Sequence, residues 1–135
     1  PPRTTHFNKY GGVWPPHCVI GTPGAEFHPD LHLPSGVTLV SKGMGDTEDA
    51  YSAFQARDAS GLALDSILRR VGVQHIYIGG LATDYCVKSS TLDALASGLR
   101  VTLVVEAMRA VNLRPLDGEN ALAQMRAAGA VDYVS

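Results

Sequence analysis

The chain has 135 residues, the length of one ordinary domain with a single core. Hydrophobic residues make up 45%, charged residues 18%, and the formal net charge is -2, a balance that excludes a disordered chain. Eleven Lys and Arg are scattered among thirteen Asp and Glu without a basic stripe, which speaks against a nucleic-acid partner. No apolar run approaches the roughly 18 residues of a membrane span, so no membrane partner is expected. Cys18 and Cys86 are too few for a disulfide framework and read as free thiols in a reducing cytoplasm. The opening Pro1-Pro2-Arg3-Thr4-Thr5 is neither a charged-then-apolar leader nor the usual start of a gene product, so residues upstream are expected.

Residues 1–36 are dense in Gly, Pro and His without periodicity and are expected to form a long functional loop region. Val37 to Ser41 reads as a buried strand ending at Lys42-Gly43. Leu62, Leu64, Ile67, Leu68 and Val71 recur at helical spacing, which predicts a helix over 61–71 ending near Gly72. A strand over 73–81 follows, centred on Ile76-Tyr77-Ile78. Thr83 or Asp84 is placed to cap the next helix, which runs to about Gly98. Arg100 to Ala107 is the clearest strand, 121–128 the third helix, and 131–134 a last short strand. This alternation predicts an α/β fold, three-layer α/β/α around a parallel sheet.

Ligands of such sheets sit beyond the carboxyl ends of the strands. That rule brings Lys42 and the segment from Gly79 to Cys86 to one edge. In the first turn of a helix, unpaired N–H groups and the helix dipole favour a thiolate, and a nearby lysine would add to it. Cys86 is thus either a nucleophile or a buried structural cysteine, and Lys42 taken alone could simply face solvent. Gly79 and Gly80 serve either an oxyanion site or tight packing of a helix on the strand. His6 and His17 could supply two ligands to zinc, iron or manganese, or be solvated loop histidines. Cys18 could be a ligand, a second nucleophile or a packed small residue.

Three strings taken together go further. Gly11 to Ala25 (GGVWPPHCVIGTPGA), Ser41-Lys-Gly-Met with Asp49-Ala-Tyr-Ser-Ala-Phe54, and Gly80-Leu-Ala-Thr-Asp-Tyr-Cys-Val87 resemble the nicotinamidases of the isochorismatase-like cysteine hydrolases, in order along nearly the whole chain. The resemblance implies hydrolysis of nicotinamide, and of pyrazinamide, to the acid and ammonia, a step of NAD salvage. It implies Cys86 as nucleophile and Lys42 as the charged member of an Asp, Lys, Cys triad. It also implies a cis peptide between Leu81 and Ala82 that turns the N–H groups of Ala82 and Cys86 toward the oxyanion. His17 corresponds to a metal ligand, as His6 does in some members, with zinc first and iron or manganese as alternatives. Trp14 corresponds to the aromatic that stacks on the pyridine ring, and Tyr51 to a pocket tyrosine. A small-molecule amide is the implied partner, and a homo-oligomer is compatible with the pattern.

The family's catalytic Asp and its Asp-x-His metal pair have no counterpart in these residues. The resemblance therefore implies one N-terminally truncated domain over 1–135, with its metal and substrate loops in 1–36. The two strands and helix missing ahead of Pro1 would lie between the strand ending at Lys42 and the one ending at Leu81. Alone, such a fragment is expected neither to fold stably nor to turn over substrate. Rival readings are a related amidase acting on another small amide or carbamoyl compound, and an inactive family member acting as a binding protein. An isochorismatase would not need Cys86.

Overall fold

The computed structural model describes residues 1–48 and 50–134; Asp49, which belongs to one of the motifs above, and Ser135 lie outside the described residues. The regular elements run α1 (Leu64–Arg70), β1 (His75–Leu81), α2 (Lys88–Ala96), β2 (Arg100–Arg109), α3 (Asp117–Ala127) and β3 (Val131–Asp132). The strands form one parallel sheet in the order β1-β2-β3, the α/β class that the alternation predicts. No helix among the described residues is long and apolar enough to cross a membrane.

The core lies where α2 packs on β2 and α3 packs on α2. Val101 and Leu103 of β2, Ala94 of α2 and Met125 of α3 are buried together, with Val87, Met108 and Ala130. Ala121 and Met125, four apart, and Gly118, three before Ala121, share the inner face of α3. The helix begins a turn earlier than its apolar residues predict, because polar contacts start it. Asp117 accepts the Arg114 N–H at 2.9 Å, and the Asn112 side-chain oxygen accepts the Gly118 N–H at 2.8 Å. Glycine is required there, since a Cβ on Gly118 would sit 2.6 Å from that of Ala110.

The β1–β2 ladder breaks its register between Ile78, opposite Leu103, and Gly80, opposite Met108. Gly79 meets the displaced stretch of β2 closely, its Cβ position 3.3 Å from the Cβ of Ala107, and Gly80 takes φ 111°. Gly79 therefore serves a strand-to-strand approach at the irregularity, which neither sequence reading of the pair contained, and Gly80 supplies a positive φ.

One predicted strand is corrected. Residues 37–41 form no ladder; only Ser41 makes an isolated antiparallel bridge, to Arg57, which bridges onward to Ala63. Strand composition describes a side-chain preference, whereas a strand exists only when a neighbour takes its N–H and C=O groups. No such neighbour stands beside 37–40 among the described residues, and Val37 and Leu39 remain 46% and 53% exposed. Apart from short single turns at Asn8–Tyr10 and Pro23–Ala25, residues 1–36 are loop, as their composition predicts, and the described residues of 37–63 add one more such turn, Ala53–Gln55.

Candidate active site

β1 delivers the chain to the carboxyl edge of the sheet, and the Leu81–Ala82 peptide there is cis. Residues Thr83–Val87 then form a single wide turn whose Val87 N–H reaches the Ala82 carbonyl, five residues back, at 3.0 Å; α2 continues from it. Neither Thr83 nor Asp84 caps this turn, which corrects the expectation from sequence: the N-cap position is Ala82. The Asp84 carboxylate is turned the other way. It is 6% exposed, and its two oxygens accept the N–H groups of Val111 and Asn112, both at 2.9 Å, tying the turn to the loop after β2.

Cys86 is half-buried near the end of this wide turn. The Lys42 ammonium donates to its sulfur at 3.3 Å and to the Ala50 carbonyl at 2.6 Å. The pair that the sequence brought to one edge is thus in contact, although Lys42 arrives on a loop and not at the end of a strand. A lysine held between a carbonyl and a thiol stabilises negative charge developing on the sulfur.

Beside it lies a cluster of rings. The Trp14 indole N–H donates to the Tyr51 hydroxyl at 3.0 Å, and Trp14 stands edge-on to Tyr85 with centroids 4.9 Å apart. Tyr51 and Tyr85 approach to 5.8 Å, and His6 lies 5.4 Å from Tyr51. Partial burial, reinforced by the carboxylates of Asp84 and Asp117, holds the pKa of the Tyr85 phenol above its ordinary value. Tyr85 was not singled out from sequence; its place immediately before Cys86 was the available signal. A cleft of about 240 Å³ opens by His6, Gly12, Glu48 and Tyr51. Cys86 and Lys42 do not line it, so their contact lies outside that cleft.

The two imidazoles expected as metal ligands come within 6.2 Å of each other, centroid to centroid. The His17 Nδ1 lies 2.7 Å from the Pro15 carbonyl, which can only accept, so Nδ1 carries the proton and Nε2 is left as a donor atom for a cation. This donor pair suits a borderline divalent metal. It is an incomplete set, since no cluster of three or more His, Cys, Asp or Glu suited to a metal occurs among the described residues. Cys18 is exposed and takes φ 47°; no contact with Cys86 or Lys42 gives it a part in the site.

A profile of the isochorismatase domain matches residues 3–132. The chain belongs to the isochorismatase family. It is 40% identical over 121 residues to a nicotinamidase of Escherichia coli (strain K12), covering 89% of this chain and 57% of that protein. The crystal structure of a pyrazinamidase of Pyrococcus horikoshii in complex with zinc superposes with a TM-score of 0.88 at 39% identity, over 100% of this chain and 70% of the other. That of PnC1 from L. infantum in complex with nicotinate gives 0.86 at 32% identity, over 98% and 66%. The chain spans about half the length of the curated relatives it matches. Family and fold class are therefore those the three strings imply.

Proposed function

We propose that the polypeptide containing this chain hydrolyses the carboxamide of nicotinamide, and of pyrazinamide, to the acid and ammonia, with Cys86 as nucleophile. The observation that carries this reading is the Lys42–Cys86 contact, one residue from the tyrosine that packs against Trp14. The names of the relatives, nicotinamidase and pyrazinamidase, support the substrate class.

The sulfur of Cys86 bonds to the carboxamide carbon, and the carbonyl electron pair moves onto oxygen, where the N–H groups of Ala82 and Cys86 receive it. Collapse breaks the C–N bond, and the nitrogen leaves as ammonia once protonated. Water then attacks the thioester, releasing the acid and restoring the thiol. The base for the thiol proton is not Asp84, whose two oxygens are engaged by Val111 and Asn112. We assign it to the carboxylate that the family pattern puts ahead of Pro1. Lys42 holds the charge on sulfur, while Trp14 and Tyr51 grip the ring. His17 and His6 would hold part of the coordination of a divalent metal, zinc first, which when bound supplies a Lewis acid that orients the pyridine ring. The acid product would enter NAD salvage in the cytoplasm.

Ammonia release from nicotinamide by the full-length polypeptide tests the reading. Activity that disappears in Cys86→Ala supports it, and absence of activity in the parent, or its survival in the variant, overturns it. Metal content measured in parent and His17→Ala tests the metal assignment, which fails if the two are equal.

A further inference from the structure

We propose that Ser90 is a positioning residue that fixes the contact between Lys42 and Cys86. Ser90 lies in the first turn of α2 and is 7% exposed. Its hydroxyl donates to the Cys86 carbonyl at 2.7 Å, and the same oxygen accepts the Ala53 N–H at 2.8 Å. A serine inside a helix commonly bonds back to the carbonyl four residues earlier and leaves its lone pairs to water. Here the lone pair is taken by a backbone group from a different part of the chain.

That group belongs to the segment that holds Lys42. Ala53 opens a short turn locked at its start, where the Ser52 side chain accepts the Phe54 N–H at 3.1 Å and the Gln55 side chain accepts the Ser52 N–H at 3.0 Å. Three residues before Ala53, the Ala50 carbonyl holds the Lys42 ammonium, which donates onward to Cys86. The contacts close a ring: Cys86 carbonyl, Ser90 hydroxyl, Ala53 N–H, the capped turn, Ala50 carbonyl, Lys42 ammonium and Cys86 sulfur. Removing the Ser90 oxygen opens this ring between the nucleophile's turn and the loop that presents the lysine. Ser90 reaches neither the sulfur nor the lysine, so it acts through the backbone it joins. Small errors of placement between a nucleophile and its charge partner cost rate steeply.

The inference rests on the reading of Lys42 and Cys86 as the working pair, and its test has a readout separate from turnover. In the full-length polypeptide, iodoacetamide labelling followed by peptide mapping gives the rate at Cys86 relative to exposed Cys18 in the same molecule. Ser90→Ala is expected to lower that ratio about tenfold and to lower kcat on nicotinamide by a similar factor, with KM changed less than about twofold. Ser90→Thr keeps the hydroxyl and is expected to recover most of both. An Ala variant with the parental Cys86 ratio overturns the proposal whatever its melting temperature, because a merely structural serine would move only the latter. So does a folded Thr variant as slow as the Ala variant. If the parent releases no ammonia from nicotinamide, the proposed function fails, while the labelling ratio still decides the part played by Ser90.

Discussion

From Leu64 onward the chain is held by a parallel ladder and an apolar core, whereas the buried residues described ahead of Leu64 are Thr4, Phe7, Ser52 and Ala56, tied by short turns and isolated bridges. The first region is framework and supplies one reactive group, Cys86. The second has little core of its own, yet it presents Lys42, Trp14, His17 and Tyr51. The candidate site joins the two where they meet: at Lys42 and Cys86, at Trp14 and Tyr85, and at Ala53 and Ser90. Away from Cys86 and Ser90, substitutions in the framework should therefore change stability first, and substitutions in the loops should change activity first.

The largest effect is expected in the core. Leu103→Ala removes a fully buried side chain and should cost about 2–5 kcal/mol in denaturant unfolding of the full-length polypeptide; a loss below about 1 kcal/mol would break the distinction. Asp84→Ala leaves two backbone N–H groups without their acceptor and should cost about 1–3 kcal/mol by the same measurement. On the loop side, Tyr51→Phe deletes the acceptor of the Trp14 indole. Its expected signature is a several-fold rise in KM for nicotinamide with stability within about 1 kcal/mol, and an unchanged KM would remove Tyr51 from the ring-binding group.

Two smaller effects return to the framework. Thr91 is fully buried on α2 and its hydroxyl has no partner among the described residues, so the isosteric Thr91→Val should be neutral or stabilising by up to about 1 kcal/mol. Arg126 holds Asp132 through paired hydrogen bonds and depresses its carboxyl pKa below the ordinary 3.8. A depressed carboxyl contributes stability that is complete above the unfolded pKa and is lost as pH falls below 3.8 toward the folded value. Asp132→Asn should thus be less stable than the parent at neutral pH, by less than about 1 kcal/mol because both side chains are well exposed, and the gap should close in acid. A gap independent of pH would contradict the assignment.

The framework was legible in the sequence because period and punctuation carry it. Leu64, Ile67 and Leu68 mark α1, and the runs read over 73–81 and 100–107 mark β1 and β2, where Val101 and Leu103 are buried in the core and Ile76 and Ile78 pack against it. What escaped depends on contacts, or the lack of them, that apolar spacing does not record. The run Val37 to Ser41 has strand composition but no ladder, and the start of α3 is fixed by Asn112 and Asp117 through polar contacts that leave no periodic trace. In the site, Cys86 and Lys42 were read from their places after strand-like runs and His6 and His17 as candidate ligands, whereas the roles of Trp14 and Tyr51 entered through the family resemblance. Asp84 was singled out only as a helix cap, and Tyr85 and Ser90 not at all, because the groups they contact lie on other segments.

The central claim is that Cys86, reached by Lys42 from the loop region, bonds covalently to the substrate. Acid quenching of the full-length polypeptide during turnover of nicotinamide, followed by peptide mass mapping, tests it most directly. The account predicts a nicotinoyl adduct on the peptide containing Cys86 and none on the peptide containing Cys18. An adduct on Cys18, or undiminished ammonia release by Cys86→Ala, would contradict it.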